Sequence, residues 1–194
     1  YFKMKYYIIF GPPGAGKGTQ SELIIEKYKL RHLSTGELFR AEIRSGSKLG
    51  EELKKIIESG ALVQDSLVLE MIENHITNPI EGSRGFIFDG FPRTIEQAKA
   101  LDQLLAKSGG EVTALLSLEV ADEVTVERLQ KRASIEGRSD DASIETIQNR
   151  IDTYHSKTKP LIDYYSDQKK YWAVEGDSDI KSVFNAICDI MDKI

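Results

Sequence analysis

Gly11-Pro12-Pro13-Gly14-Ala15-Gly16-Lys17-Gly18-Thr19 joins an apolar run, Tyr6 to Phe10, to a helical pattern that continues to Lys29. Glycines so placed let the backbone curl until successive N–H groups face an anion. The helix that follows adds its positive end. Lys17 brings a mobile full charge to β- and γ-phosphates. The lysine, the spacing and the preceding strand together make a phosphate-binding loop rather than a connecting turn. The hydroxyl comes one place late, because Gly18 stands directly after Lys17. That weakens any direct role for Thr19 on Mg²⁺.

Two further segments could hold a second anion. In Leu33-Ser34-Thr35-Gly36-Glu37-Leu38-Phe39-Arg40, Ser34 or Thr35 can cap a helix that carries Arg40. In Phe88-Asp89-Gly90-Phe91-Pro92-Arg93-Thr94, a strand ends in Asp89 at the edge where open α/β sheets bind ligands. Arg93 is presented just beyond it. Taken alone, Arg40 reads more readily as a solvated surface arginine. Of nine arginines, six lie in candidate site segments: Arg40, Arg93, Arg128, Arg132, Arg138 and Arg150. Guanidinium groups match phosphate oxygens in pairs, so arginine clustering points to phosphate. Arg128 and Arg132 share a helix face, which a surface ion-pair ladder with Glu127 would also explain.

The elements that must position these residues alternate along the chain. Apolar runs at Tyr6–Phe10, Phe86–Phe88, Val112–Val120 and Tyr171–Val174 are separated by helical patterns. Such runs predict a parallel sheet covered by helices on both faces. Ser34 to Ile76 reads as almost wholly helical, more than one crossover helix needs, and part of it forms an insertion beside the sheet. Ser47 is an expected N-cap and Gly60 an expected helix stop.

The 194 residues carry 26 basic and 31 acidic side chains, a formal charge of −5. This balance argues against nucleic-acid coating and anionic membranes. One cysteine, Cys188, excludes an internal disulfide and a cysteine-rich zinc site. His32, His75 and His155 lack metal-ligand spacing. No apolar stretch reaches membrane-helix length and no signal-peptide pattern opens the chain. A reduced, cytoplasmic compartment is expected, with Met4 a candidate natural start.

These motifs resemble the nucleoside monophosphate kinases, and among them the adenylate kinases most closely, over essentially the whole chain from Lys5. The resemblance implies a P-loop NTPase-type α/β fold with a core over 4–33, 64–131 and 142–194. It also implies a helical monophosphate-binding insertion over 34–63 and a short lid over 132–141. ATP would meet Gly14, Ala15, Gly16, Lys17, Gly18, Thr19, Arg132 and Ser178. Ser178 read alone is an ordinary strand-to-helix turn. AMP would meet Thr35, Arg40, Ala61, Leu62, Val63, Gly90, Phe91, Pro92, Arg93, Gln97, Arg138 and Arg150. Arg40 and Arg93 would grip its phosphate, and Thr35 and Gln97 would read its base. Gln97 sits four residues after Arg93 on a helix, hence on the same side.

Catalysis is expected from Lys17, Arg93, Arg128, Arg138 and Arg150, with Asp140 and Asp141 holding the arginines. Mg²⁺ would come with ATP, Asp89 orienting its waters, and no protein side chain ligating it directly. No structural zinc is expected, because the longer insertion that carries zinc ligands in some relatives is missing. The implied partners are ATP, AMP and ADP, without nucleic acid or membrane, in a monomer. The alternatives are UMP/CMP kinase, where alanine and asparagine typically replace Thr35 and Thr94, and a P-loop nucleotide binder without catalysis. A small-metabolite kinase would lack the Asp89–Arg93 segment.

Overall fold

The computed structural model describes residues 3–77, 82–141 and 143–194, and of Ser139 the backbone only. Tyr1, Phe2 and the expected core boundary at 142 lie outside the described residues. Five strands form one sheet: β1 (Lys5–Phe10), β2 (Arg31–Ser34), β3 (Gly85–Asp89), β4 (Ala114–Glu119) and β5 (Tyr171–Glu175). Their order is β2-β3-β1-β4-β5, and every pairing is parallel. β1 lies at the centre, and its side chains alternate between two cores. Tyr6, Ile8 and Phe10 join one cluster, while Tyr7 and Ile9 join the other. A strand buried on both faces has no polar face, which is why it reads as a continuous apolar run.

The helices are α1 (Lys17–Tyr28), α2 (Thr35–Arg44), α3 (Lys48–Glu58), α4 (Asp65–Ile76) and α5 (Ile95–Lys107), then α6 (Asp122–Glu136), α7 (Ile144–Thr153), α8 (Leu161–Asp167) and α9 (Ile180–Met191). α1 and α9 cover the face of Tyr7 and Ile9 through Ile24, Val183 and Ile187. α4, α5 and α8 cover the other through Ile72, Leu101, Leu105 and Leu161. A π-helical turn, Tyr154–Thr158, separates α7 from α8.

β2 corrects the sequence reading, which made the region from Ser34 onward helical without recognising the strand before it. Arg31-His32-Leu33-Ser34 is too short and too polar to look like a strand; it forms because it pairs with Phe86 to Asp89 at the sheet edge. The caps fall where expected. Ser34 Oγ accepts the Glu37 N–H at 3.3 Å, and Ser47 Oγ accepts the Gly50 N–H at 2.9 Å. α3 ends at Glu58, and Gly60 follows with φ 76°. Phe39 of α2 and Leu53 of α3 belong to the same apolar cluster as Val63 and Val68.

Because all five strands run the same way, their carboxyl ends share one edge. After β3 the chain crosses β1 to lay down β4 and β5 on its other side, so the switch point lies at the end of β1. The phosphate loop begins there.

Candidate active site

The loop after β1 enters α1 through Gly16, which holds φ 94° and supplies no side-chain cap. The first-turn amides of α1 therefore keep their hydrogens for a ligand. Lys17 lies across the loop, its Nζ donating to the carbonyls of Gly11 at 2.9 Å and Pro12 at 2.8 Å. Burial pushes its ammonium down to about 7; Asp89 opposes the shift, while Arg93, Arg150 and Arg132 add to it.

Around the loop opens a cleft of about 850 Å³. Most of the residues singled out from sequence line it: the loop from Gly14 to Thr19, Thr35, Arg40, Ala61, Leu62, Val63, Asp89, Gly90, Arg93, Gln97, Arg128, Arg132, Arg138, Arg150 and Ser178. Phe91 and Pro92 are the exceptions. Phe91 is 1% exposed and joins the core, and the pair lines a separate cavity of about 70 Å³ behind Arg93. They stiffen the turn that carries Arg93, and Lys17, Gly90, Arg93 and Arg150 line the same small cavity.

That turn is held on every side. Arg93 Nε donates to the Gly90 carbonyl at 2.8 Å, and the Arg93 N–H donates to Gln97 Oε1 at 2.8 Å. The Arg93 carbonyl accepts the Thr158 hydroxyl at 2.9 Å. Gly90 holds φ 75°, and a Cβ there would meet Thr35 Oγ1 at 2.8 Å and Arg93 Nη2 at 3.0 Å. Only glycine fits. Thr35 Oγ1 donates to the same Gly90 carbonyl at 2.9 Å. Burial first, and the neighbouring Arg150 next, draw the Arg93 guanidinium down to about 10, so it stays charged at neutral pH.

On the opposite wall the arginines are held by carboxylates. Asp141, whose side chain is wholly buried, accepts from Arg132 Nε at 2.6 Å and also pairs closely with Arg150 Nη1. Arg150 Nη1 reaches Asp140 Oδ2 at 3.0 Å. The expected role of Asp140 and Asp141 therefore holds for these two arginines. Arg138 departs from it, pairing with Glu136 at 2.6 Å. Arg132 Nη2 is buried with no hydrogen-bond partner among the described residues. Arg128 donates through Nη2 to the Gly176 carbonyl at 3.2 Å, tying α6 to the end of β5 beside Ser178.

Asp89, at the end of β3, lies 3.5 Å from His32 Nε2. Burial pushes its carboxyl up, but the His32 interaction, Lys17 and Arg93 outweigh this and bring it below the ordinary value. It remains a carboxylate. His32 was not singled out from sequence, because its place in the cleft depends on β2. Asp65 and Thr158 were missed as well. They meet Gln97 and Arg93 from positions 32 and 65 residues away in the chain, and no local pattern records such contacts. His155 is exposed and pairs with Asp122 at 2.9 Å, outside the cleft.

The chain matches the family model described as adenylate kinase over residues 9–170. It is 46% identical over 187 residues to an adenylate kinase of Bacteroides thetaiotaomicron, covering 96% of this chain and 98% of that one. It is 45% identical to an adenylate kinase of Parabacteroides distasonis, covering 96% and 97%. The adenylate kinase of Porphyromonas gingivalis is 46% identical over 186 residues, covering 96% and 95%. A phosphate loop, an arginine-lined cleft at the switch point of a parallel sheet and likeness along nearly the full length agree: this chain belongs to the adenylate kinase family.

Proposed function

We infer that the protein is a phosphotransferase that carries out ATP + AMP ⇌ 2 ADP. The observation that carries this reading is the convergence of Lys17 and seven arginines, the six singled out above and Arg44, on one cleft with room for two nucleotides. The attacking group is a phosphate oxygen, already ionised near neutral pH, so the site needs no general base. What it must supply is alignment and charge neutralisation.

On the donor side, the loop amides and Lys17 hold the triphosphate, with Thr19, Arg132 and Ser178 at its other end. On the acceptor side, Arg93 and Arg40 grip the AMP phosphate. Thr35, Gln97 and the segment Ala61-Leu62-Val63 surround the base. Arg128, Arg138 and Arg150 offset charge on the group in transit. Each such arginine can contribute on the order of 10³-fold or more in rate. Residues 34–63 and 132–141 act as the two moving pieces, whose closure excludes water and suppresses ATP hydrolysis.

Mg²⁺ fits this cleft. It takes few protein carboxylates, preferring substrate phosphates and water. Asp89 is one ionised carboxylate lining the cleft, and among the described residues no cluster of three or more metal-ligating side chains occurs. When bound with the triphosphate, the ion neutralises charge on the β- and γ-phosphate oxygens, and Asp89 would hold it through water. No described helix is long and apolar enough to cross a membrane. A monomeric cytoplasmic enzyme with ATP, AMP and ADP as its ligands is part of the same proposal.

The test is direct. Incubated with Mg·ATP and each of AMP, CMP, UMP and GMP, the protein turns over AMP fastest by diphosphate formation. Rapid turnover of CMP or UMP without AMP would overturn the assignment of the base.

A further inference from the structure

Gln97 reads the acceptor base in the account above, yet a carboxamide alone is a poor reader of purines. Adenine offers an N6–H donor beside the N1 acceptor. A 6-oxopurine offers an O6 acceptor beside an N1–H donor. A primary amide presents oxygen beside N–H and, turned over about its last torsion, presents them in the opposite order. It can pair with either purine unless its rotation is fixed.

In this protein it is fixed. Gln97 is 2% exposed at the wall of the cleft. Its Oε1 accepts the Arg93 N–H at 2.8 Å, and its Nε2 donates to Asp65 Oδ1 at 2.7 Å. A backbone N–H only donates and an ionised carboxylate only accepts. Turning the amide over would set donor against donor and acceptor against acceptor, so the partners themselves determine which atom is oxygen. Asp65 is held in turn. Its Oδ2 accepts from the Thr94 hydroxyl at 3.2 Å, and Thr94 Oγ1 in turn accepts the backbone N–H of Gln97 itself at 3.1 Å. The ring of bonds closes on Gln97. One Oε1 lone pair and one Nε2 hydrogen are left over. Asp65 stands at the first turn of α4 and does not line the cleft, so it reaches a ligand only indirectly, through Gln97 and the Thr94 cap that carries it.

We propose that Asp65 is a positioning residue that fixes the rotation of the Gln97 carboxamide and so sets a preference for 6-amino- over 6-oxopurine monophosphates. This rests on the reading of Gln97 as the contact to the acceptor base. Losing Asp65 frees the outer half of the amide, and the Arg93 N–H alone then opposes the turned-over state.

The experiment measures kcat/KM for AMP and for IMP with saturating Mg·ATP in the wild type, Asp65→Ala, Asp65→Asn and Gln97→Leu. The AMP:IMP ratio is taken within one preparation, so the fraction of folded enzyme cancels. Asp65→Ala is expected to lower the ratio by about tenfold or more through a higher AMP KM, with the ATP KM unchanged. Asp65→Asn keeps an acceptor oxygen and should stay within about threefold of the wild type. A wild-type ratio in Asp65→Ala, or a fall in Asp65→Asn as deep as in Asp65→Ala, overturns the proposal. Gln97→Leu tests the reading beneath it. Equal rises in the AMP and ATP KM remove Gln97 from the base site, whereas an AMP-specific rise beside an unchanged Asp65→Ala ratio removes only the lock.

Discussion

The two walls of the cleft are prepared for their ligands in different ways. Around Arg93, the contacts come from backbone and neutral groups: Gly90, Gln97 and Thr158 hold the arginine through its Nε, N–H and carbonyl. None of these bonds uses Nη1 or Nη2, so both remain available to a phosphate. Around Lys17 and the 132–141 segment, the charged groups bond to protein groups. Lys17 donates to two loop carbonyls, Arg138 pairs with Glu136, and Arg132 and Arg150 share Asp141. The first wall is organised before a ligand arrives. The second must exchange some protein partners for phosphate oxygens, and each exchange returns part of the binding energy.

Arg93→Ala gives the largest expected effect. Removing a preorganised guanidinium should lower kcat by about 10³-fold or more, while the melting temperature moves by a few degrees at most, because the backbone bonds of the turn survive. ADP formation and a thermal melt on the same sample check both halves. Near-normal ADP formation would erase the distinction between the walls.

A smaller effect concerns Lys17 and pH. Its ammonium sits at about 7 in the ligand-free protein, and a triphosphate beside it pulls that value up. Binding above neutrality therefore takes up a proton, and ATP affinity should weaken as pH rises past 7, by up to about tenfold per pH unit. Stability runs the other way. Between about 7 and the ordinary lysine value of 10.5, the unfolded chain binds the proton that the folded chain has lost, so this group's contribution to stability rises with pH. Calorimetry in buffers of different ionisation enthalpy measures the proton uptake. Lys17→Met should flatten the pH slope of binding, and an unchanged slope would place the titration elsewhere.

Asp141→Asn should have the smallest effect on turnover. It weakens the shared hold on Arg132 and Arg150 but leaves Asp140 on Arg150, so kcat should fall only about threefold. The cost appears in stability instead, as a melting temperature lower by roughly 6–10 °C, because a buried ion-pair network loses its central charge. A melt unchanged by the substitution would show that Asp141 does not organise this wall.

How much was legible in the sequence depended on how local the cause was. The phosphate loop needs only a strand, glycines, a lysine and a helix in succession, all within residues 6–28. Ser34 and Ser47 announced their helices because a cap acts three residues ahead. β2 was hidden, since four residues at a sheet edge owe their conformation to β3 rather than to their own propensity. Phe91 and Pro92 read as nucleotide contacts because they sit between Gly90 and Arg93; that Phe91 is packed in the core and that both line a smaller cavity behind Arg93 depends on the fold.

The sequence by itself determined the parallel α/β architecture, the phosphate loop and the concentration of arginine near phosphate. Each of these follows from residue order, apolar periodicity and the chemistry of one side-chain type. Only the tertiary structure decided which arginines are anchored by backbone and which by carboxylates, that His32 faces Asp89, and that Asp65 and Thr158 support Gln97 and Arg93. Those contacts join segments far apart in the chain. Their geometry is set by how helices pack on the sheet, which no short stretch of residues encodes.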